Sequence, residues 1–564
     1  MTASLALSSD TRSERGWTVV VVLAMAYFAV RAGFYAINIA PYVPPDEKAH
    51  FGISEVFAKT WLLPNDSPES YRYGLITHVP SLYYYVMGRV ANLNVFFDSD
   101  LPFLRLANAL LGTFTVLFAY LWMRRFTTNR LACGLFAVVI TNIPMFTFLC
   151  GSVNYDNLTN LLAAVSVYYL TRFFEAYRAE HMAAFLIAVL LGSLTKVTFL
   201  PLAGMLGLVL LLQEWRTLGS LPAQLAHKFR RSIGRGMLLS TAVLLLLGTN
   251  VYLYGGNLVR FGRLVPVVQQ VLTQDQCMQN PVFARDYITK AFREGRIGVA
   301  EAMALTDQID DLSIKQATIA MLNEALRLRK NNDQQDRLPP NDDPVPRDNP
   351  EQPGGQGQFN VQSFAAPPQQ SLADAPRFDP KQYTANPRRV ADSQDRGPQP
   401  ASRARYLVFW IAQLGATTFG ILGQLSIFMP TWQLGFYAAI FGLAFLVFVT
   451  TRLVPAWRRH PDFGRAVNLY FVAGVVLAYT AVLFEHNYAS YLRTGMAVLA
   501  VQGRYLFPVM VPMYGLLVCY LLCYWPRRVQ WLVAVATAAW FVAGDLPFFL
   551  AEATPQWFAA SVAP

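Results

Sequence analysis

Apolar residues along this chain gather into blocks of about 20, separated by short polar and basic connectors. A block of that length crosses a hydrocarbon core as a helix. The strongest blocks are 17–40, 101–123, 131–150, 156–174, 182–195, 198–213, 236–254, 429–451, 466–484, 504–523 and 529–549. Two weaker stretches, 77–96 and 404–424, are rich in Tyr, Phe and Trp, which favour the headgroup level. Basic clusters at Arg12/Arg15, Arg124/Arg125/Arg130, Arg172/Arg178, Arg216 to Arg235, Arg452 to Arg465 and Arg527/Arg528 share one side only if neither weak stretch crosses. The pattern therefore predicts an all-α polytopic membrane protein of about 11 transmembrane helices, with 77–96 and 404–424 as interfacial or re-entrant helices on the outer face. The N-terminus is expected in the cytoplasm and the C-terminus outside. The first block lacks a small-residue cleavage site and is expected to stay as the first span, its Arg31 snorkelling to the headgroups.

Composition narrows the class further. Of 564 residues, 54% are hydrophobic and 14% charged, against roughly 25% charged in soluble domains. A soluble enzyme, a nucleic-acid-binding domain and a fibrous chain are excluded. The net charge of +11 reflects basic connectors that set topology, not a nucleic-acid partner. Five Cys show neither a metal spacing nor a disulfide framework. Three units follow: a transmembrane module over 1–254 with a first outer loop at 41–100; an outer-face insertion over 255–403; and a second transmembrane module over 404–564. Within the insertion, 289–330 has apolar residues at helical spacing. Residues 331–400, rich in Pro, Gln, Asn, Asp and Gly, have little to bury and are expected to be disordered.

This topology collects specific polar residues on one membrane face. Pro44 and Pro45 stiffen the exit from the first span, and a helix over roughly 47–60 would place Asp46 and Glu47 in its first turn; plain helix capping is the alternative reading. His50 follows, and His78 opens an aromatic stretch. Asp156 lies at the outer end of a span, where ionisable residues usually mark a site. Lys196 separates two short apolar halves and suits an anionic group. Gln502, Arg504 and Tyr505 flank Gly503, which would let the backbone approach a ligand; arginine favours phosphate through bidentate hydrogen bonds. Acids and bases sharing one face suit either an enzyme acting on a lipid phosphate or the vestibule of a transporter.

The motifs PPDEKAHFG, THVPSLYYYV, PFLRLANALLGTFTVLFAYLWMRR, NIPMFTFLCGSVNYDNL and LTKVTFLPL, in that order, resemble the integral-membrane GT-C glycosyltransferases, relatives of the lipid-carrier-dependent mannosyl-, arabinosyl- and aminoarabinose transferases. The late VQGRYLFPVMVPM resembles more narrowly the bacterial DUF2142-type membrane proteins. The resemblance implies transfer of a sugar from a polyprenyl-phosphate donor to a lipid, glycan or protein acceptor, on the outer face of the bacterial plasma (inner) membrane. It implies Asp46 as base, with Glu47 beside it, and Asp156 as the second outer-loop acid. Lys196, Arg504, Gln502, Tyr505 and His78 are the implied donor- or phosphate-binding residues. A divalent metal ion stays open as cofactor, with Glu47, His50 and His78 as candidate ligands. Lys48, next to the acid pair, departs from the expected neutral residue and would lower the proton affinity of a neighbouring carboxylate. A transporter or flippase of lipid-linked glycan, and a non-catalytic component of an envelope polysaccharide system with partners at 289–403, remain the alternatives.

Overall fold

A computed structural model describes residues 2–215, 233–335, 402–422, 427–453, 469–494, 497–498 and 501–552. The first half is built from α1 (Thr2–Asn38), α2 (Glu47–Ala58), α3 (Pro68–Tyr71), α4 (Leu82–Ala91), α5 (Asp100–Phe126), α6 (Arg130–Thr141), α7 (Pro144–Cys150), α8 (Asp156–Ala176), α9 (Ala179–Thr195) and α10 (Phe199–Gln213). A long helix, α11 (Ile233–Asn250), passes through a π-helical turn at Val251–Gly255 and continues to Phe261. A small unit of α12 (Pro281–Arg293), α13 (Val299–Asp307) and α14 (Leu312–Gln335) comes next, and the second half holds α15 (Arg403–Phe419), α16 (Thr431–Leu453), α17 (Leu469–Thr494), α18 (Met510–Leu522), α19 (Arg527–Ala543) and α20 (Leu546–Glu552). Among the described residues the only strands are Ile421–Leu422 and Ile427–Phe428, an antiparallel pair of two residues each. The protein is an all-α, multi-pass membrane protein.

Among the described residues, seven helical stretches are long and apolar enough to cross a membrane: Val19–Asn38, Asp100–Phe126, Gly236–Phe261, Thr431–Thr451, Leu469–Arg493, Gly503–Leu522 and Arg527–Glu552. An eighth results if α6 and α7, bent by 61°, count together. By length and composition the described residues thus supply seven or eight of the expected eleven. Helices α9 and α10 have 17 and 15 residues, short of the roughly 20 that a spanning helix needs, and α8 carries Asn157, Asn160, Arg172 and Glu175. The expected continuous span over 131–150 is broken because Pro144, at the first turn of α7, has no N–H for the preceding turn and clashes with it. Neither weak stretch supplies a span. The first yields the 10-residue α4, and the second yields α15, which ends in the hairpin.

One apolar core joins the two halves. Phe28 and Tyr35 of α1, Trp122 of α5, Phe136 of α6, Phe146 of α7 and Tyr514 of α18 are all buried in it. A second core, around Phe51, Phe57, Tyr83, Met87 and Leu104, clamps α2 and α4 against the start of α5. The α12–α14 unit has a core of its own, including Ile288, Phe292, Leu305 and Leu322. The helical segment expected at 289–330 is thus present but begins at Pro281 and runs to Gln335. The first five residues of the stretch expected to be disordered are helical, and 336–400 lie outside the described residues.

Arg31 does not snorkel. It is buried and pairs with Asp545 at 2.9 Å. It also donates to Asn142 Oδ1 at 3.1 Å, to Thr147 Oγ1 at 2.7 Å and to the Thr141 carbonyl. A guanidinium withdrawn from water needs such fixed acceptors, since an unpaired buried charge is very costly. Sequence reasoning passed over Asp545, although an acid in an otherwise apolar block is itself a signal.

Candidate active site

Asp46 immediately precedes α2 and adopts a left-handed backbone, φ 62°, a conformation that Asp visits more readily than most residues. Its side chain makes no capping hydrogen bond, so simple capping is not what it does. Instead its Oδ2 accepts from Arg504 Nη2 at 2.5 Å, joining residues 458 apart in sequence. Arg504 is only 3% exposed at its side chain, whereas Asp46 is 57% exposed. The acid thus meets solvent while its partner is locked inside. Partial desolvation by the surrounding protein raises the proton affinity of Asp46, but the Arg504 guanidinium, with Lys196 behind it, outweighs that and holds the carboxyl below its usual range. The cation beside Asp46 is Arg504, while Lys48 is exposed.

Behind this pair lies a second one. Asp156 opens α8, where the helix dipole favours a carboxylate, and Asn154 Oδ1 accepts from its backbone N–H at 2.9 Å. Lys196 sits at the break between α9 and α10 in extended conformation, and its Nζ donates to Asp156 Oδ1. The ammonium also lies over the Tyr155 ring at 4.3 Å and the Tyr505 ring at 5.0 Å, a favourable setting for a cation. Asp156 Oδ2 is 3.8 Å from Arg504 Nη1, which connects the pairs into one chain of alternating charge. Asp156 Oδ2 and Arg504 Nε are buried without hydrogen-bond partners.

The backbone that delivers Arg504 depends on Gly503. A β-carbon there would lie 1.9 Å from Thr418 Oγ1 and 2.7 Å from the Leu414 carbonyl. The Gly503 N–H donates to Thr417 Oγ1 at 2.7 Å. The close approach is therefore to α15 and not to a ligand. Gln502 is half-buried at the start of the 3₁₀ turn Gly503–Val509. Tyr505 covers both cations, with Arg504 5.4 Å from its ring centre.

His50 stands one turn after Asp46 and is buried; its Nδ1 is hydrogen-bonded to the Tyr84 hydroxyl at 2.9 Å, and its ring meets Tyr155 edge-on at 4.3 Å. Burial, aided by Arg504 and Lys196, pushes its pKa down to about 4 against the pull of Asp46 and Asp156. His50 is therefore neutral at neutral pH. Tyr155 and Tyr84, which sequence reasoning did not place here, form the aromatic wall between His50 and Lys196; the Tyr triplet at 83–85 gave no sign of which ring would turn inward.

Glu47 and His78 belong elsewhere. Glu47 is fully buried and receives Arg105 Nε and Nη2 at 2.8 and 2.5 Å. The Tyr42 and Val153 N–H groups also donate to it, at 3.0 and 3.1 Å. Both of its oxygens are occupied, so it ties α2 to α5 and not to a reacting group. His78 shares a hydrogen bond with Asn257 at 3.1 Å and stacks edge-on against Phe261, fastening the first loop to the end of the long α11 segment. The three candidate metal ligands, Glu47, His50 and His78, are thus engaged with different partners. Among the described residues no group of three or more His, Cys, Asp or Glu side chains is placed to hold a metal ion.

A helical membrane protein with two coupled acid–base pairs at one end of its bundle is the class that fold and site define. Residues 68–289 match the family described as "Predicted membrane protein (DUF2142)". That segment includes Asp156 and Lys196 but neither Asp46 nor Arg504. A search of curated proteins finds no match. Among solved structures the chain is similar to ArnT from Cupriavidus metallidurans in the apo state, at 15% identity, over 90% of this chain and 78% of that one, with a TM-score of 0.32.

Proposed function

We propose that this protein is a glycosyltransferase that moves a sugar from a polyprenyl-phosphate carrier to a lipid, glycan or protein acceptor, with the site on the outer face of a bacterial inner membrane. The observation that supports it most is the half-exposed Asp46 carboxylate held by a fully buried Arg504, backed by Lys196 and Asp156. In this reading the acceptor hydroxyl approaches Asp46 from solvent and hydrogen-bonds to Oδ1, the oxygen not taken by Arg504. As the hydroxyl oxygen bonds to the anomeric carbon, the bond from that carbon to the carrier phosphate breaks. The hydroxyl proton passes to Asp46, and the carrier leaves as polyprenyl phosphate. Arg504 and Lys196, already desolvated, are positioned to stabilise the negative charge developing on that phosphate.

A carboxylate held below its usual range is ionised but weakly basic. Donor binding resolves this, because a phosphate that shares the Arg504 guanidinium weakens its pull on Asp46 and raises the carboxylate's proton affinity. Asp156 then keeps Lys196 and Arg504 oriented while Asp46 turns over. General-base assistance contributes typically about 10²–10⁴-fold, so Asp46→Asn is expected to lower turnover by at least about 100-fold while leaving the protein folded. The assay is release of lipid phosphate by liposome-reconstituted protein from a panel of polyprenyl-phosphate sugars, with an envelope acceptor fraction. No release from any donor by folded protein, or an unchanged rate in Asp46→Asn, overturns the reading.

A further inference from the structure

Two loops, at the end of α2 away from Asp46 and at the end of α4, expose six large apolar side chains. The first follows α2 and presents Trp61, Leu62 and Leu63; the second follows α4 and presents Leu93, Val95 and Phe96. All six are between 57% and 80% exposed. Residues 60–65 and 90–97 contain no charged side chain. In water such a surface is costly, at about 25 cal/mol for each Å² of apolar area, and contiguous patches of this kind mark a contact.

The two loops are not loose tips that happen to lie together. A β-carbon on Gly88 would come within 2.8 Å of the Phe57 and Ala58 backbone, so α4 rests directly on the end of α2. Arg89 donates to the Phe57 carbonyl and, at 2.5 Å, to the Thr60 carbonyl. Asn92 donates to the Ala58 carbonyl at 3.0 Å. Two of these acceptors, the Phe57 and Ala58 carbonyls, belong to the last turn of α2, where intrahelical donors run out. The Arg89 guanidinium lies 4.6 Å from the Trp61 ring centre and 5.5 Å from that of Tyr85. Together they form one rigid platform with the apolar side chains on its rim.

What covers this rim is set by where it is attached. Phe96 lies four residues before Asp100, the first residue of the membrane-crossing α5, hence at most about 14 Å along the chain from the end of that span. The headgroup layer is itself about 5–8 Å deep on each side of the hydrocarbon. Further along, α5 keeps Leu110 and Phe114 exposed, so the apolar rim continues the lipid-facing surface of a span. Trp and Phe at the tips and a ring-stacked arginine behind them are the chemistry of a membrane interface.

We infer that Trp61, Leu62, Leu63, Leu93, Val95 and Phe96 form a wedge that inserts into the lipid leaflet on the site's side of the membrane and fixes the depth of α2. Asp46, at the start of α2, is then held at a constant height above the hydrocarbon, where a lipid-borne substrate presents its polar head. The wedge rests on the protein's crossing a membrane and not on the reaction proposed above.

The test uses the full chain reconstituted in phosphatidylcholine/phosphatidylglycerol vesicles. The five native cysteines are all buried, so an environment-sensitive thiol fluorophore reports from an introduced position. Leu62→Cys and Phe96→Cys avoid the Trp61–Arg89 stack, and Glu294→Cys on the α12–α14 unit is the aqueous reference. Expected is quenching by lipids bearing a nitroxide at acyl carbon 5 that is at least about twofold stronger at 62 and 96 than at 294, as befits interfacial side chains, with weaker quenching by iodide. Equal nitroxide quenching at all three positions overturns the inference. So does protection from iodide without nitroxide quenching, which would assign the rim to a protein contact.

Discussion

Asp46 and Glu47 are chemically alike and adjacent, yet the fold gives them different work. Asp46 turns to solvent with one oxygen unclaimed, whereas Glu47 is enclosed by Arg105 and two backbone N–H groups. Removing one member of a buried ion pair strands the other and typically costs about 3–5 kcal/mol. Glu47→Ala is therefore expected to destabilise the protein by about that amount, read as a lower unfolding midpoint in detergent and a poorer folded yield. Asp46→Asn is expected to lower that midpoint by less, because Asp46 is half-exposed and Arg504 keeps Asp156 within 3.8 Å. The pattern DE next to a proline pair identified the place but not the division of labour, because which carboxylate meets Arg105 depends on a helix 58 residues downstream.

His50 makes the second residue-scale prediction. Unfolded, it binds a proton below its ordinary value of 6.5; folded, it does so only near 4. Between those values the unfolded chain holds a proton that the folded one lacks, so stability is complete above about pH 6.5 and falls as the pH drops toward 4. The unfolding midpoint should decline across that window in the wild type and decline less steeply in His50→Asn, whatever the absolute stability of the variant. Equal slopes in the two proteins would show that another group governs the decline.

At the scale of elements, the break between α6 and α7 was half legible. Pro144 signals that a helix cannot run through, but the apolar block around it reads as one span. What holds the broken ends is Arg31, bonded to Thr141, Asn142 and Thr147 on both sides of the break and to Asp545 before α20. The clamp spans the first helix, the break and the last helix. Arg31→Met leaves Asp545 without its cation, and Asp545→Asn leaves Arg31 without its carboxylate. Each alone should destabilise strongly, and the two together should cost less than their sum, by roughly 0.5–3 kcal/mol, as coupled neighbours do. Thermal unfolding of the three variants in one detergent checks this; additive losses would mean that the residues act independently. Lys196 at the break between α9 and α10 follows the same logic, since an interrupted helix is where a charged side chain can turn inward to a partner.

Across the whole molecule, Asp46, Asp156 and Lys196 come from the first half and Arg504 from the second. Apolar block lengths, the uncharged composition and the position of prolines and glycines were enough to establish a helical membrane protein and to single out a set of polar residues. Those properties are local: whether about 20 residues prefer hydrocarbon to water is decided by their own side chains. The number of spans was less legible, because α8, α9 and α10 are apolar enough to look like crossings but too short or too polar to qualify. Partner choice could not be read from the chain at all. That Arg504 reaches Asp46 and not Glu47, that Gly503 seats against α15, that Arg31 turns inward to Asp545, and that His50 is enclosed by Tyr84 and Tyr155 all follow from how the helices pack. A buried charge must find its counter-charge wherever the fold brings one within a few ångströms, and sequence separation does not enter that energy.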